Sequence, residues 1–167
     1  MKVIFSHGKE SGPWGFKIKR LAAIAEQMGC VVESVDYTDL MDPDLRVDRL
    51  LTVLEHQTEP PILVGSSMGG YVSLVASESV ETKALFLMAP ALYISSFKQQ
   101  HHHSLSPWIE IVHGWSDGII PVRNSIQFAQ QANSMLHLIA GDHALNEVIE
   151  TVEGLFRRFM SQGLVNE

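Results

Sequence analysis

The stretch "PPILVGSSMGGYVSLVAS", Pro60 to Ser77, decides how the rest of the chain reads. An apolar run, Pro61 to Val64, stops at Gly65; two serines follow, then Met68, Gly69, Gly70 and a second apolar run. A short apolar run bounded by turn residues reads as a buried strand, and the segment from Gly69 to Ser79 reads as a helix. Gly65-Ser66-Ser67-Met68-Gly69 fits G-x-S-x-G, which points to Ser67 rather than Ser66 as a nucleophile. The reason is steric. A serine on a sharp strand-to-helix turn holds a strained backbone, and side chains two before and two after it would clash with the neighbouring strand and helix. Glycine at both flanks relieves the clash and lifts the hydroxyl above the sheet. The plain alternative is a Gly/Ser turn that caps a helix.

Working outward, strand and helix patterns alternate. "KVIFS" (2–6), "CVVESVDY" (30–37), "PILVGS" (61–66), "KALFLMAP" (83–90), "IEIVHG" (109–114) and "MLHLIAG" (135–141) read as strands. Helical spacing fills 16–29, where Ile18, Leu21, Ala22, Ala25 and Met28 share a face, and also 42–57, 69–79, 121–133 and 144–163. Asp42 or Asp44 with Pro43, and later Pro121, mark helix starts. Near-continuous apolar strands alternating with helices predict a parallel sheet covered on both faces. In such sheets ligands bind outside the carboxyl ends of the strands.

The chemistry gathers at those ends: "SHGKESG" after the first strand, "GSSMGG" after the third, "HGWSDG" after the fifth and "AGDHAL" after the sixth. A serine hydroxyl needs a base within hydrogen-bond reach. Of eight histidines, His143 is best placed, on the loop after the last strand. His137 falls within a strand, His56 near a helix end, and His7 and His113 just before glycines. The base needs a carboxylate to hold its tautomer. Asp117 follows the fifth strand; its plain alternative is a turn aspartate before Gly118. Asp142 is the rival, but side chains adjacent on a tight loop diverge. For the developing oxyanion, the candidates are the backbone N–H groups of Met68 and Lys9, with Gly8 allowing close approach and His7 bracing the loop. The chain order Ser67, Asp117, His143 fits one hydrolase fold among the common serine arrangements.

Together these four strand ends resemble the α/β-hydrolase superfamily, over essentially the whole chain. "SHGKESG" is similar to its oxyanion loop, "GSSMGGY" to its nucleophile elbow, "HGWSDGIIPV" to its acid loop and "GDHAL" to its histidine loop. The elbow most resembles small bacterial esterases. The similarity to dienelactone-hydrolase-like proteins is weaker, because those carry Cys where this chain has Ser67. The resemblance implies a minimal α/β fold of about six parallel strands in the order 2-1-3-4-5-6, helices on both faces, forming a three-layer sandwich. It also implies loss of the family's first two antiparallel strands. The roughly 18 residues of "ALYISSFKQQHHHSLSPW" (91–108) have room for at most a short helix, so no substantial cap is expected. An open, shallow site for a small ester or thioester follows, with Trp14, Tyr93, Trp108 and Trp115 as candidate pocket residues. No cofactor is implied. The rival class is a non-catalytic binding protein on the same scaffold.

Composition bounds these readings. The 167 residues fit one domain, 1–167, with a real core. A hydrophobic fraction of 46% and a charged fraction of 19% fit a soluble globular chain. The net charge of −7 argues against nucleic acid or an anionic membrane as partner. The single cysteine, Cys30, excludes an internal disulfide and, with no signal-like or membrane-spanning apolar run, predicts a cytoplasmic protein. His101, His102 and His103 invite a metal reading, but consecutive side chains diverge and no cysteine or carboxylate stands at ligand spacing; no metal site is expected.

Overall fold

The computed structural model describes residues 1–165. Six strands, β1 (Lys2–Ser6), β2 (Val31–Val35), β3 (Ile62–Ser66), β4 (Ala84–Met88), β5 (Ile109–Gly114) and β6 (Met135–Ile139), form one sheet. Its order is β2-β1-β3-β4-β5-β6, with every pairing parallel. Five helices connect and close it: α1 (Phe16–Gln27), α2 (Pro43–Leu54), α3 (Met68–Ala76), α4 (Val122–Ala132) and α5 (Ile149–Val165).

The central strands are apolar at nearly every position because both sheet faces are covered. Successive side chains point to opposite faces. Val3, Phe5, Ile62, Val64, Phe86 and Val112 meet α1 and α5 on one side. Ile4, Leu63, Leu85, Leu87 and Ile111 meet α2, α3 and α4 on the other. Helix α3 is buried at all but one of its nine positions, which is why its sequence is apolar all round. Asp42 caps α2 by accepting from the Asp44 and Leu45 N–H groups, with Pro43 in the first turn.

One sequence expectation changes. The last helix starts at Ile149, not Ala144. Leu145 takes a left-handed conformation (φ 58°), and Asp142 Oδ1 accepts its N–H at 2.9 Å, so residues 142–148 turn before the helix begins. Between β4 and β5 no helix forms, as the expectation of no substantial cap requires.

The path of the chain creates the site. After β1 it moves outward to β2, then returns to β3 on the other side of β1. The loops after β1 and β3 therefore part at a topological switch point, the usual place for a ligand crevice in open α/β sheets.

Candidate active site

Ser67 stands at that switch point, between β3 and α3, with φ 54° and ψ −118°. A non-glycine residue in this region is strained, and the surroundings hold it there. The Ser67 N–H donates to Met88 O at 2.9 Å, and its carbonyl accepts from Gly70 N–H at 2.9 Å and Ala91 N–H at 3.0 Å. The flanking glycines are required by contact. A Cβ on Gly65 would strike the Gly69 carbonyl, and one on Gly69 would strike the Ser6 carbonyl. Ser66 is buried at the end of β3, while Ser67 is partly open to solvent, which separates the two serines.

His143 reaches Ser67 from the loop after β6: Nε2 lies 3.0 Å from Ser67 Oγ. Its Nδ1 lies 2.7 Å from Asp117 Oδ2, on the loop after β5. As a carboxylate, Asp117 can only accept here. Its Oδ1 takes the Ile119 and Ile120 N–H groups at 2.8 Å each. Nδ1 of His143 therefore carries the proton, and Nε2 is free to accept from the serine hydroxyl. Burial alone would raise the Asp117 pKa, but the hydrogen bonds from His143, Ile120 and Ile119 hold it below the ordinary carboxylate value. Asp142 turns away to cap Leu145 and does not bond the His143 ring.

The loop after β1 passes directly beside the serine: a Cβ on Gly8 would lie 3.6 Å from Ser67 Cβ. Lys9 follows it, and Met68 opens α3, where first-turn amides have no partner within the helix. His7 braces this loop. Its Nδ1 lies 2.7 Å from Gly8 O, and Nε2 accepts the Tyr37 N–H at 3.0 Å. Arg46 adds a second brace that the sequence reading missed. Fully buried on α2, it donates to Leu40 O at 2.7 Å, Gly8 O at 3.2 Å and His7 O at 3.3 Å. The signal was there: an arginine within the apolar stripe of Val47, Leu50 and Leu54. His113 was missed too. It is buried at the end of β5, with Nε2 2.9 Å from Asp117 Oδ2.

The four pocket aromatics divide. Trp14 and Trp115, 44% and 58% exposed, sit on the loops after β1 and β5, at the carboxyl edge of the sheet. A cleft of about 180 Å³ is lined by Ser11, Phe16, Lys17, Ala144 and Ser66, the residue before Ser67, among others; Ser67 itself does not line it. Trp108 does not belong to the site. It precedes β5, so it stands at the opposite, amino edge of the sheet and packs on Phe159 at 5.1 Å. Tyr93 is also drawn away: its hydroxyl donates to Gln131 in the last turn of α4 at 2.8 Å, and its ring meets His102 at 5.2 Å. The three consecutive histidines do not converge. The His102 side chain is wholly buried against Tyr71, Tyr93 and Phe128, while that of His103 is 72% exposed. Among the described residues no group of three His, Cys, Asp or Glu side chains is arranged to hold a metal ion.

Fold, elbow and strand-end chemistry define an α/β-hydrolase superfamily protein without a lid. Residues 2–102 match the Uncharacterised protein family (UPF0227), and the chain belongs to that family. It is similar to a candidate hydrolase of the α/β superfamily from Xanthomonas campestris pv. campestris, with 32% identity and a TM-score of 0.84, covering 96% of this chain and 98% of that one. A second Xanthomonas campestris protein, an α/β serine hydrolase without lid, superposes with a TM-score of 0.73 at 18% identity, over 96% of this chain and 81% of that one. Dienelactone hydrolase from Anabaena variabilis gives a TM-score of 0.76 at 17% identity, over 96% and 86%. The last two likenesses speak for the fold alone. No curated protein matches the chain. Among the described residues no helix is long and apolar enough to cross a membrane.

Proposed function

We propose that this chain hydrolyses small carboxylic esters or thioesters through an acyl-enzyme on Ser67. The observation that carries the reading is the continuous relay from Ser67 Oγ through His143 to Asp117, at 3.0 and 2.7 Å. The similarity to hydrolases supports the reaction class; the bond cleaved and the covalent intermediate go beyond it.

Each residue then has a role. His143 Nε2 takes the Ser67 proton as Oγ attacks the substrate carbonyl, and Asp117 stabilises the resulting imidazolium. The Met68 and Lys9 N–H groups face the developing oxyanion, aided by the positive end of α3. His143 returns its proton to the leaving alcohol or thiol. Water, activated by the same histidine, then releases the acid from Ser67. The lidless edge favours a short acyl chain that can reach Ser67 without interfacial activation.

A panel of p-nitrophenyl esters and acyl thioesters of graded chain length tests this. Short acyl groups should give the highest kcat/KM, and Ser67→Ala should lose turnover while Ser66→Ala keeps it. No turnover of any panel member by the native protein, or turnover that survives Ser67→Ala, would overturn it.

A further inference from the structure

We propose that His113, hydrogen-bonded to Ser125, is a positioning residue that sets the orientation and basicity of the Asp117 carboxylate facing His143. The inference rests on the proposed role of Ser67, His143 and Asp117 and adds a second imidazole behind them.

The geometry assigns the protons. His113 Nε2 lies 2.9 Å from Asp117 Oδ2 and 3.1 Å from Ile120 O. The carbonyl can only accept, and Asp117 is held ionised by its other donors, so Nε2 must carry a proton. The ring is buried among β5, the acid loop and α4, and burial disfavours its charged form against the pull of Asp117. A neutral ring protonated at Nε2 leaves a lone pair at Nδ1, which accepts from Ser125 Oγ at 2.7 Å. The Ser125 hydroxyl, able to donate or accept, follows the tautomer that Asp117 and Ile120 O set and holds the ring in place.

Asp117 is then saturated. Oδ1 accepts two backbone N–H groups and Oδ2 accepts two imidazole N–H groups, which fills the roughly four acceptor directions of a carboxylate. His113 and His143 share Oδ2. Every donor on that oxygen draws charge from it, so His113 tempers the attraction Asp117 exerts on a protonated His143. It also pins the torsion of the carboxylate, which fixes the His143 ring. Without His113, Oδ2 should pull harder on the imidazolium and hold it less accurately.

The other charged groups around this pair are few. Lys17 from α1 donates to Ala144 O at 2.7 Å, close enough to attract Asp117 and Asp142. Asp142 precedes His143 and is exposed; Arg123 on α4 is exposed too. None of these changes in the variants below.

The test compares His113→Leu, which removes the donor, with His113→Gln, which keeps an N–H donor near the same place. Ester kcat/KM is followed from pH 5 to 9, with melting temperatures measured in parallel. His113→Leu should move the acid limb up by about half to one pH unit and lower kcat about tenfold, the scale of losing one charge-assisted hydrogen bond at one remove. His113→Gln should restore most of both. A folded His113→Leu protein with the native acid limb would overturn the proposal, leaving His113 a packing residue. So would failure of His113→Gln to restore the limb. If His113→Leu does not fold, side-chain ¹⁵N NMR of the native protein decides. The His113 ring should stay in its neutral Nε2–H form while kcat/KM titrates, and a His113 ring that titrates with the rate or is protonated at Nδ1 would contradict us. An active native protein with an unmoved limb strikes only this inference; an inactive one strikes the ester reading beneath it.

Discussion

Replacing Asp117 by Asn changes one atom's hydrogen-bonding sense and leaves the shape alone. The Ile119 and Ile120 N–H groups, now on Oδ1 at 2.8 Å each, still find the amide oxygen, so the acid loop keeps its turn. That choice turns the NH₂ group toward the place of Oδ2, against the N–H groups of His143 at 2.7 Å and His113 at 2.9 Å. Donor then faces donor twice. Each imidazole relieves the clash only by moving its proton to the far nitrogen. For His143 that is Nε2, 3.0 Å from Ser67 Oγ, where a lone pair is needed to accept the serine proton. A wrong tautomer of this kind costs roughly 10⁴-fold in kcat in the best-studied triad, or about 5.4 kcal/mol of barrier at ~1.36 kcal/mol per decade. The assay is hydrolysis of a short p-nitrophenyl ester at pH 7 by Asp117→Asn beside Asp142→Asn. The second change should cost at most about twofold, because an asparagine oxygen can still cap Leu145. Asp117→Asn retaining more than about a tenth of native activity, which is under 1.4 kcal/mol of barrier, would refute the reasoning. So would a greater loss on Asp142→Asn.

Gly69→Ala should cost about 1–3 kcal/mol or more through overpacking, since its Cβ would enter the Ser6 carbonyl; thermal melting with a soluble, native-like midpoint would contradict this. Burial lowers the pKa of both His7 and His113. The unfolded chain then binds protons that the native state refuses, so their contribution is full above the ordinary imidazole value of ~6.5 and is lost as the pH falls below it. The slope is up to about 1.4 kcal/mol per pH unit for each proton. Calorimetric Tm should drop between pH 7 and 5, and a flat Tm there would contradict neutral burial. Activity should survive dialysis against EDTA and the joint change of His101 and His103 to Ala; loss on chelation, restored by zinc, would contradict the serine mechanism. His102→Ala should instead destabilise the protein, because it empties a place enclosed by Tyr71, Tyr93 and Phe128.

Much of the fold was legible because its strands are buried on both faces and therefore read as short apolar runs, with helical spacing between them. Ser67, Asp117 and His143 could be singled out because each follows such a run, and the structure brings the three together. What lay beyond the pattern depends on tertiary direction. Trp108 comes before its strand, which in a parallel sheet puts it at the wrong edge. Tyr93 has a positive φ of 55° and leads toward the end of α4, not toward the serine. The start of α5 is delayed by the left-handed Leu145, which helix propensity does not reveal. His102 lies buried in the middle of a polar run that looks solvent-exposed, because aromatic rings distant in sequence close around it. His113 and Arg46 are polar residues inside apolar patterns, and their purpose becomes visible only with their partners in place.

The central claim is that Ser67 is an activated nucleophile, and covalent capture tests it most directly. The native protein is treated with a fluorophosphonate, and its intact mass and proteolytic peptides are read by mass spectrometry. We expect one phosphonyl adduct on Ser67, no adduct on Ser67→Ala, and an undiminished adduct on Ser66→Ala. A native protein that takes no label, or a Ser67→Ala protein that takes as much, would contradict the account.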